Sequence, residues 1–137
     1  MSRVLGFSEG FHDAAVTILD DDEIVLINDA YDVVFVQDAN TILDKFQKFN
    51  KRIVFGIQKG KMLEYLFPIK FKNHVVCSGN IMGYVKELKH MMTLIYKYRS
   101  EWKNLKNDDQ LILDYVVNEE SSFFMKNADV DVNRKIF

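Results

Sequence analysis

A chain of 137 residues with 48% apolar and 13% aromatic side chains is long enough for one packed domain and too apolar for disorder. Its 18 basic and 20 acidic residues leave a net charge of -2, which excludes the broad basic field that recruits a nucleic-acid polymer. One cysteine, Cys77, excludes an internal disulfide and points to a reducing, cytoplasmic setting. The N-terminus lacks the basic-then-apolar pattern of a secretory signal, and no apolar run approaches the ~20 residues needed to span a bilayer, so no membrane is expected.

Residues 3–7 and 14–19 read as short strands, and Asp20-Asp21-Asp22 between two β-rich runs reads as a solvated turn. Glu23 to Ile27 resumes the strand. From Asp38 the period changes to that of a helix, with Ile42, Leu43, Phe46 and Phe49 on one face and Asp38, Asn40 or Thr41 available as cap. "RIVFGI" (52–57) and "HVVCSG" (74–79) are further strand candidates, rich in β-branched residues. The segment between them, 58–73, is irregular and holds the one proline, Pro68. A long amphipathic helix is predicted over 86–103, with Leu88, Met91 or Met92, Ile95, Tyr98 or Arg99, and Trp102 at steps of three and four; its Met and aromatic side chains read as core. "NDDQLILDYVVN" (107–118) reads as another helix, opened by Asn107 three residues before Gln110 in the manner of a capping box. "DVDVNRKIF" (129–137) alternates like a final strand. Strands alternating with helices predict one α/β domain with a largely parallel sheet, in which residues 1–23 form an N-terminal hairpin and 24–137 the core.

The candidate chemistry starts at "INDAYDVVF" (27–35), where Asp29 and Asp32 interrupt an apolar run. In an open α/β sheet, ligand sites form beyond the carboxyl ends of strands, and Asp29 stands at such an end. Two carboxylates on a bent segment can share a hard divalent cation, which takes the rest of its shell from water and substrate phosphates. On spacing alone the alternative stands beside it: an Asx-type turn at Asn28-Asp29, with Asp32 in water. His12, His74 and His90 read as structural or surface residues.

"IVLINDAYDVVF" (24–35), followed by a helix and "RIVFG", resembles the glycosyltransferase domain of procollagen-lysine hydroxylases and their microbial and viral relatives. The likeness continues in order. "VVCSGNIMGYVKEL" (75–88) is similar to that family's Ser-Gly-Gly-Phe-Ile-Gly-Tyr-Ala segment, "NDDQLILDYV" (107–116) to its Asp-Asp-Asp-Gln-Leu-Phe segment, and "VDVNRKIF" (130–137) to its closing Leu-Asp-His…Ile-Phe strand. The resemblance implies a GT-A-like fold and transfer of a hexose from a UDP-sugar to a hydroxyl acceptor, of hydroxylysine type or another protein or glycan, with Mn²⁺ or Mg²⁺. It implies Asp29 and Asp32 as metal ligands. It places Ser78, Gly79 and Asn80 in a donor-binding loop close to the sugar, and has Asp108 and Asp109 face sugar or acceptor. Read from the residues alone, Asp108 and Asp109 also fit helix capping and favourable dipole placement.

The chain departs from the family in three places. Asn80 stands where the family has a second glycine, and "QKGKMLEYLFP" (58–68) lacks the acidic residues and the Trp found there. Only 22 residues precede "EIVLINDAYD", where the family carries its nucleotide-binding strands, and the chain stops at Phe137, before the family's later metal-shell histidine. The expectation is therefore a domain truncated at both ends. It is either an active transferase of shortened form or an inactive glycosyltransferase-like remnant serving as an interaction module. Sheet edges left by missing strands would be covered by a second copy or a partner chain. Residues 3–24 carry a second, short likeness, to the N-terminal hairpin of nodulation-type carbamoyltransferases, in which His12 and Asp13 would lie near the active site.

Overall fold

The computed structural model describes residues 24–29, 35–58 and 71–137, together with the backbone of 14–20. Strands β1 (Ala14–Asp20), β2 (Ile24–Asp29), β3 (Ile53–Ile57), β4 (Val76–Tyr84) and β5 (Ala128–Val130) form one sheet in the order β1-β2-β4-β3-β5. Among the described residues four helices flank it: α1 (Ala39–Gln47), α2 (Val85–Lys97), α3 (Asp109–Glu119) and α4 (Ser121–Asn127). The mixed α/β sheet predicted above is present. Its pairing leans antiparallel, in contrast to the largely parallel arrangement that alternating strands and helices predict: β1–β2, β2–β4 and β4–β3 are antiparallel and β3–β5 is parallel. The reason is connection length. Residues 21–23 between β1 and β2 are too few for the crossover that a parallel pair requires, and β4 inserts antiparallel between β2 and β3. The expected strand at 3–7, the Asp21–Asp22 part of the turn, His12 and Asp13 lie outside the described residues.

Alternation along the strands divides the core into two layers. On one face Val25, Ile53, Phe55 and Ile81 pack with Leu88 and Met91 of α2, Ile112 and Val116 of α3 and Phe124 of α4. On the other, Ile24, Leu26, Val54 and Met82 pack with Ile42 and Phe46 of α1, and Ile136 and Phe137 of the C-terminal segment complete the layer. Burying a Leu, Ile or Phe side chain of this kind contributes roughly 1.5–3 kcal/mol, so both faces are needed to hold the sheet. Among the described residues no helix is long and apolar enough to cross a membrane.

Local boundaries follow from caps. Asp38, out of the three candidates, caps α1 by accepting the Thr41 N–H at 3.0 Å. The helix expected over 86–103 ends at Lys97, where Tyr98 leaves the helical region (φ -94°, ψ 19°) and Trp102 Nε1 donates back to the Ile95 carbonyl at 3.3 Å. A short 3-10 turn, Arg99–Glu101, follows. Asp108, not Asn107, caps α3: its carboxylate accepts the Leu111 N–H at 2.9 Å, while Asn107 sits in the left-handed region at φ 53°. The final strand predicted over 129–137 is confined to Ala128–Val130; beyond it the chain turns back on itself, with Arg134 at φ 49°. His74 forms an isolated bridge with Phe71, and exposed His90 packs against Phe123 with ring centroids 4.7 Å apart.

Candidate functional site

Asn28 and Asp29 are the last residues of β2. The register pairs Asn28 with Asn80, which carries exposed Asp29 beside Gly79 of the central strand β4. Gly79 is needed for this approach. A Cβ at that position would overlap the Asp29 carboxylate, 2.8 Å from Oδ1 and closer still to Cγ and Oδ2. A hydrogen at Gly79 therefore lets the carboxylate lie across β4. Ser78, Gly79 and Asn80 lie within strand β4, not in a loop as the family likeness implies, and Asn80 closes the ladder to β2 by pairing with Asn28. Asp32 lies outside the described residues, and among those described no group of three or more His, Cys, Asp and Glu side chains is arranged to hold a metal. Asp29 brings one hard carboxylate donor against the backbone of Gly79, in the place that a Cβ there would take. That suits a Mg²⁺ or Mn²⁺ site built on one or two protein carboxylates.

Behind Asp29 a cleft of about 460 Å³ opens on the α1 face of the sheet. Asn28 and Asn80 lie on its floor, Ile42, Ile136 and Phe137 on its walls, and Arg134 at its outer end. Gly56 of β3 leaves room for this floor, since a Cβ there would come within 2.8 Å of the Asn80 Cβ. Asn28 is 3% exposed and its Nδ2 has no hydrogen-bond partner. Gln58 Nε2 and Asn80 Nδ2 donate only to Cys77 Sγ, at 3.4 and 3.6 Å. Burial pushes the Cys77 thiol above its ordinary range, so it stays protonated at neutral pH.

Sequence reasoning missed Asp131. Its carboxylate is 1% exposed and accepts the backbone N–H groups of Lys135 (2.8 Å), Ile136 (2.6 Å) and Phe137 (3.1 Å). Its own N–H donates to the Phe55 carbonyl at 2.8 Å, extending β3 by one bond. One side chain thus folds residues 135–137 across the α1 face and builds a wall of the cleft. The available signal was an Asp inside an alternating apolar run, where a strand alone would want Val or Ile.

Asp108 and Asp109 are exposed at the start of α3 and do not line the cleft. Helix α3 packs on the opposite face of the sheet from α1. The residue joining it to the Ser78-Gly79 segment is Gln110, which sequence reasoning also passed over. Buried Gln110 accepts the Ser78 N–H at 2.9 Å and donates to the Val76 carbonyl at 2.7 Å and to Asp114 Oδ1 at 3.1 Å. Asp114, 4% exposed, has its second oxygen unpartnered. Burial pushes its carboxyl from the ordinary 3.8 up to about 7, against the Gln110 hydrogen bond, and the Asp108 charge adds to the rise.

This last group gives a pH prediction. A carboxyl whose value is higher in the folded state contributes stability that is fully present below its unfolded value near 4 and is lost as pH rises through about 7. Stability should therefore fall by on the order of 2 kcal/mol between pH 5 and 8. Asp114→Asn, neutral throughout, should exceed wild type in melting temperature by more at pH 8 than at pH 5. Equal melting differences at the two pH values would exclude Asp114 as the cause.

A family model described as the PLOD GT domain matches residues 12–137, which include Asp29, Gly79, Gln110 and Asp131. The chain is 34% identical over 125 residues to the multifunctional procollagen lysine hydroxylase and glycosyltransferase of Caenorhabditis elegans, covering 85% of this chain and 16% of that protein. It is 28% identical over 123 residues to procollagen-lysine,2-oxoglutarate 5-dioxygenase 1 of Rattus norvegicus and 26% identical over 123 to that of Gallus gallus, with the same coverage. The chain thus spans about 16% of the length of the curated relatives it matches. No solved structure matches it significantly. With nearly its whole length under one family model, the chain belongs to the PLOD GT domain family.

Proposed function

We propose that the chain is a metal-dependent glycosyltransferase domain that transfers a hexose from a UDP-sugar to a hydroxyl acceptor, of the hydroxylysine type that its relatives' names point to. The observation that carries this reading is the Asp29 carboxylate lying over Gly79 at the mouth of a cleft, in a chain of this family. Asp29 and Asp32 would hold Mn²⁺ or Mg²⁺. Bound there, the cation would offset the charge that develops on the departing diphosphate. The bond that forms joins the acceptor oxygen to the anomeric carbon, and the bond that breaks releases UDP.

The chain's own residues supply position. Gly79 keeps β4 low enough for a sugar-diphosphate to approach Asp29. Gln110 fixes the backbone at Val76 and Ser78 from behind, so the strand carrying Gly79 does not shift with its ligand. Asp108 is engaged as a helix cap, and we assign Asp109, exposed at the same helix start on the α3 side of the sheet, to orient an acceptor hydroxyl outside the cleft. Calorimetric titration of UDP and UDP-glucose, with and without Mn²⁺, tests the reading. Wild type should bind UDP in a Mn²⁺-dependent way, and Asp29→Ala/Asp32→Ala should lose at least ~100-fold in affinity. Wild type that takes up no UDP at millimolar concentration would sink the proposal.

A further inference from the structure

The C-terminal end of α1 and the C-terminal tail frame a second depression, a groove of about 390 Å³. Lys45, Lys48 and Phe49 line it from α1 and the turn that follows, and Lys135 lines it from the tail. The fold sets these positions. Lys48 is the C-cap of α1, Phe49 packs against the α1-side core layer, and the Lys135 N–H is held by Asp131 at 2.8 Å. Among the described residues no carboxylate lines the groove. Exposed Lys48 and Lys135 make no ion pair with them, and Lys45 donates to Gln37 Oε1, a neutral acceptor. Lysines elsewhere are partnered: Lys72 meets Asp129 at 3.0 Å, Lys97 meets Glu120, and Lys51 donates to the Met125 and Lys126 carbonyls. The helix dipole accounts for Lys45 and Lys48 at the end of α1, but not for Lys135, which comes from a different segment. Three like charges gathered around one depression repel each other, and an anionic occupant removes that cost.

The lining narrows what that occupant is. Phosphate is matched best by the planar fork of arginine, whereas the cations described here are all lysines, compact point charges spread over two segments. The groove is also far roomier than one phosphate requires. Phe49, fixed against the core layer, offers an apolar patch for an aliphatic side chain, not a free ring to stack between bases. The chain's net charge of -2 argues in the same direction, against a polynucleotide. We propose that this groove docks a short acidic segment of a partner polypeptide, its Asp and Glu side chains on Lys45, Lys48 and Lys135 and an apolar residue on Phe49. The docking groove does not depend on the glycosyltransferase reading, yet the two sites share the tail, which gives Ile136 and Phe137 to the cleft and Lys135 to the groove. A partner held there stands beside the cleft.

The experiment uses the whole chain and the fluorescence anisotropy of a labelled peptide, Asp-Glu-Asp-Leu-Glu-Asp-Glu, at low salt. Wild type should bind it, with affinity falling severalfold between ~50 and ~200 mM salt. Lys48→Glu/Lys135→Glu should lose at least ~10-fold, and replacing the peptide's Leu by Gly should cost wild type a few-fold. Lys103→Glu/Lys106→Glu makes the same charge change at exposed lysines that do not line the groove, and should stay within ~2-fold of wild type. A peptide with lysine for each acid should bind Lys48→Glu/Lys135→Glu better than it binds wild type. Thermal melting reports whether the variants fold, and Lys48→Ser/Lys135→Ser, with an expected loss of ~3-fold, stands in for a reversed pair that does not. A wild type that ignores the acidic peptide overturns the proposal, as do equal losses in the two reversed pairs or no loss in either. A uridine oligonucleotide that binds more tightly than the peptide, and is lost with the groove lysines, overturns it in favour of nucleic acid. A wild-type dimer that Lys48→Glu/Lys135→Glu dissociates overturns it in favour of a second copy of the chain.

Discussion

Gly79→Ala should abolish Mn²⁺-supported UDP binding while costing the fold only about 1 kcal/mol. The new methyl group would occupy the volume now filled by the Asp29 carboxylate. What stands in its way is the end of a flexible side chain, so Asp29 swings aside and β4 stays in place; overpacking against backbone would cost more, typically 1–3 kcal/mol. The function suffers because a carboxylate displaced by an ångström or more no longer meets the cation and the diphosphate together. Denaturant unfolding beside calorimetric titration checks both halves. Combining Gly79→Ala with Asp29→Ala should add almost nothing to the loss from Asp29→Ala, since both remove the same ligand. A Gly79→Ala protein that binds UDP like wild type would show that Asp29 does not hold the metal in this position.

The second large effect is expected at Asp131, which touches neither metal nor proposed sugar. Asp131→Ala leaves the N–H groups of Lys135, Ile136 and Phe137 without their acceptor. The tail is partly exposed and can turn some of these donors to water, so the loss is about 2–3 kcal/mol, less than three fully buried orphans would give. Asp131→Asn retains one acceptor oxygen and should fall between Ala and wild type. Urea unfolding reads the stability, and amide exchange reads the tail: protection at residues 135–137 should vanish in Asp131→Ala while that of β4 survives. Because Ile136 and Phe137 wall the cleft, UDP-glucose affinity should fall as well. An unchanged urea midpoint would mean that the tail is held by its apolar side chains alone.

Much of this was legible before any coordinates. The unbroken apolar, β-branched runs at 24–27 and 53–55 stand out because those strands are buried on both faces, and the period-3.6 faces of α1 and α2 stand out because burial on one side imposes its spacing on the sequence. The Asp29, Gly79 and Asp108 segments were legible through family likeness, and Asp29 and Gly79 do meet. What the sequence concealed is pairing. Nothing local in "VVCSGNIMGY" says that it runs antiparallel between β2 and β3, so the Ser-Gly-Asn segment looked like a loop and its glycine like a residue needed for backbone freedom. In fact Gly79 is needed for space against a side chain 50 positions earlier in the chain. Asp131 and Gln110 were concealed for a related reason. Each acts through backbone groups, of residues 135–137 and of Val76 and Ser78, and backbone partners leave no mark in the identity of the residues that supply them.

The parallel pairing of β3 with β5 bears on the order in which the molecule assembles. Ile53 meets Ala128 only after most of the chain has folded between them, and β5 brings just three residues to the ladder. Closing so long a loop for so few bonds is entropically unfavourable until the other elements have formed. The β2–β4–β3 sheet with α1 and α2 should therefore condense early, with β5 arriving last and Asp131 and the tail following it. On a ribosome or in a refolding tube, the cleft would be the final feature to appear, and a chain that had formed every other strand would still be unable to hold a ligand there.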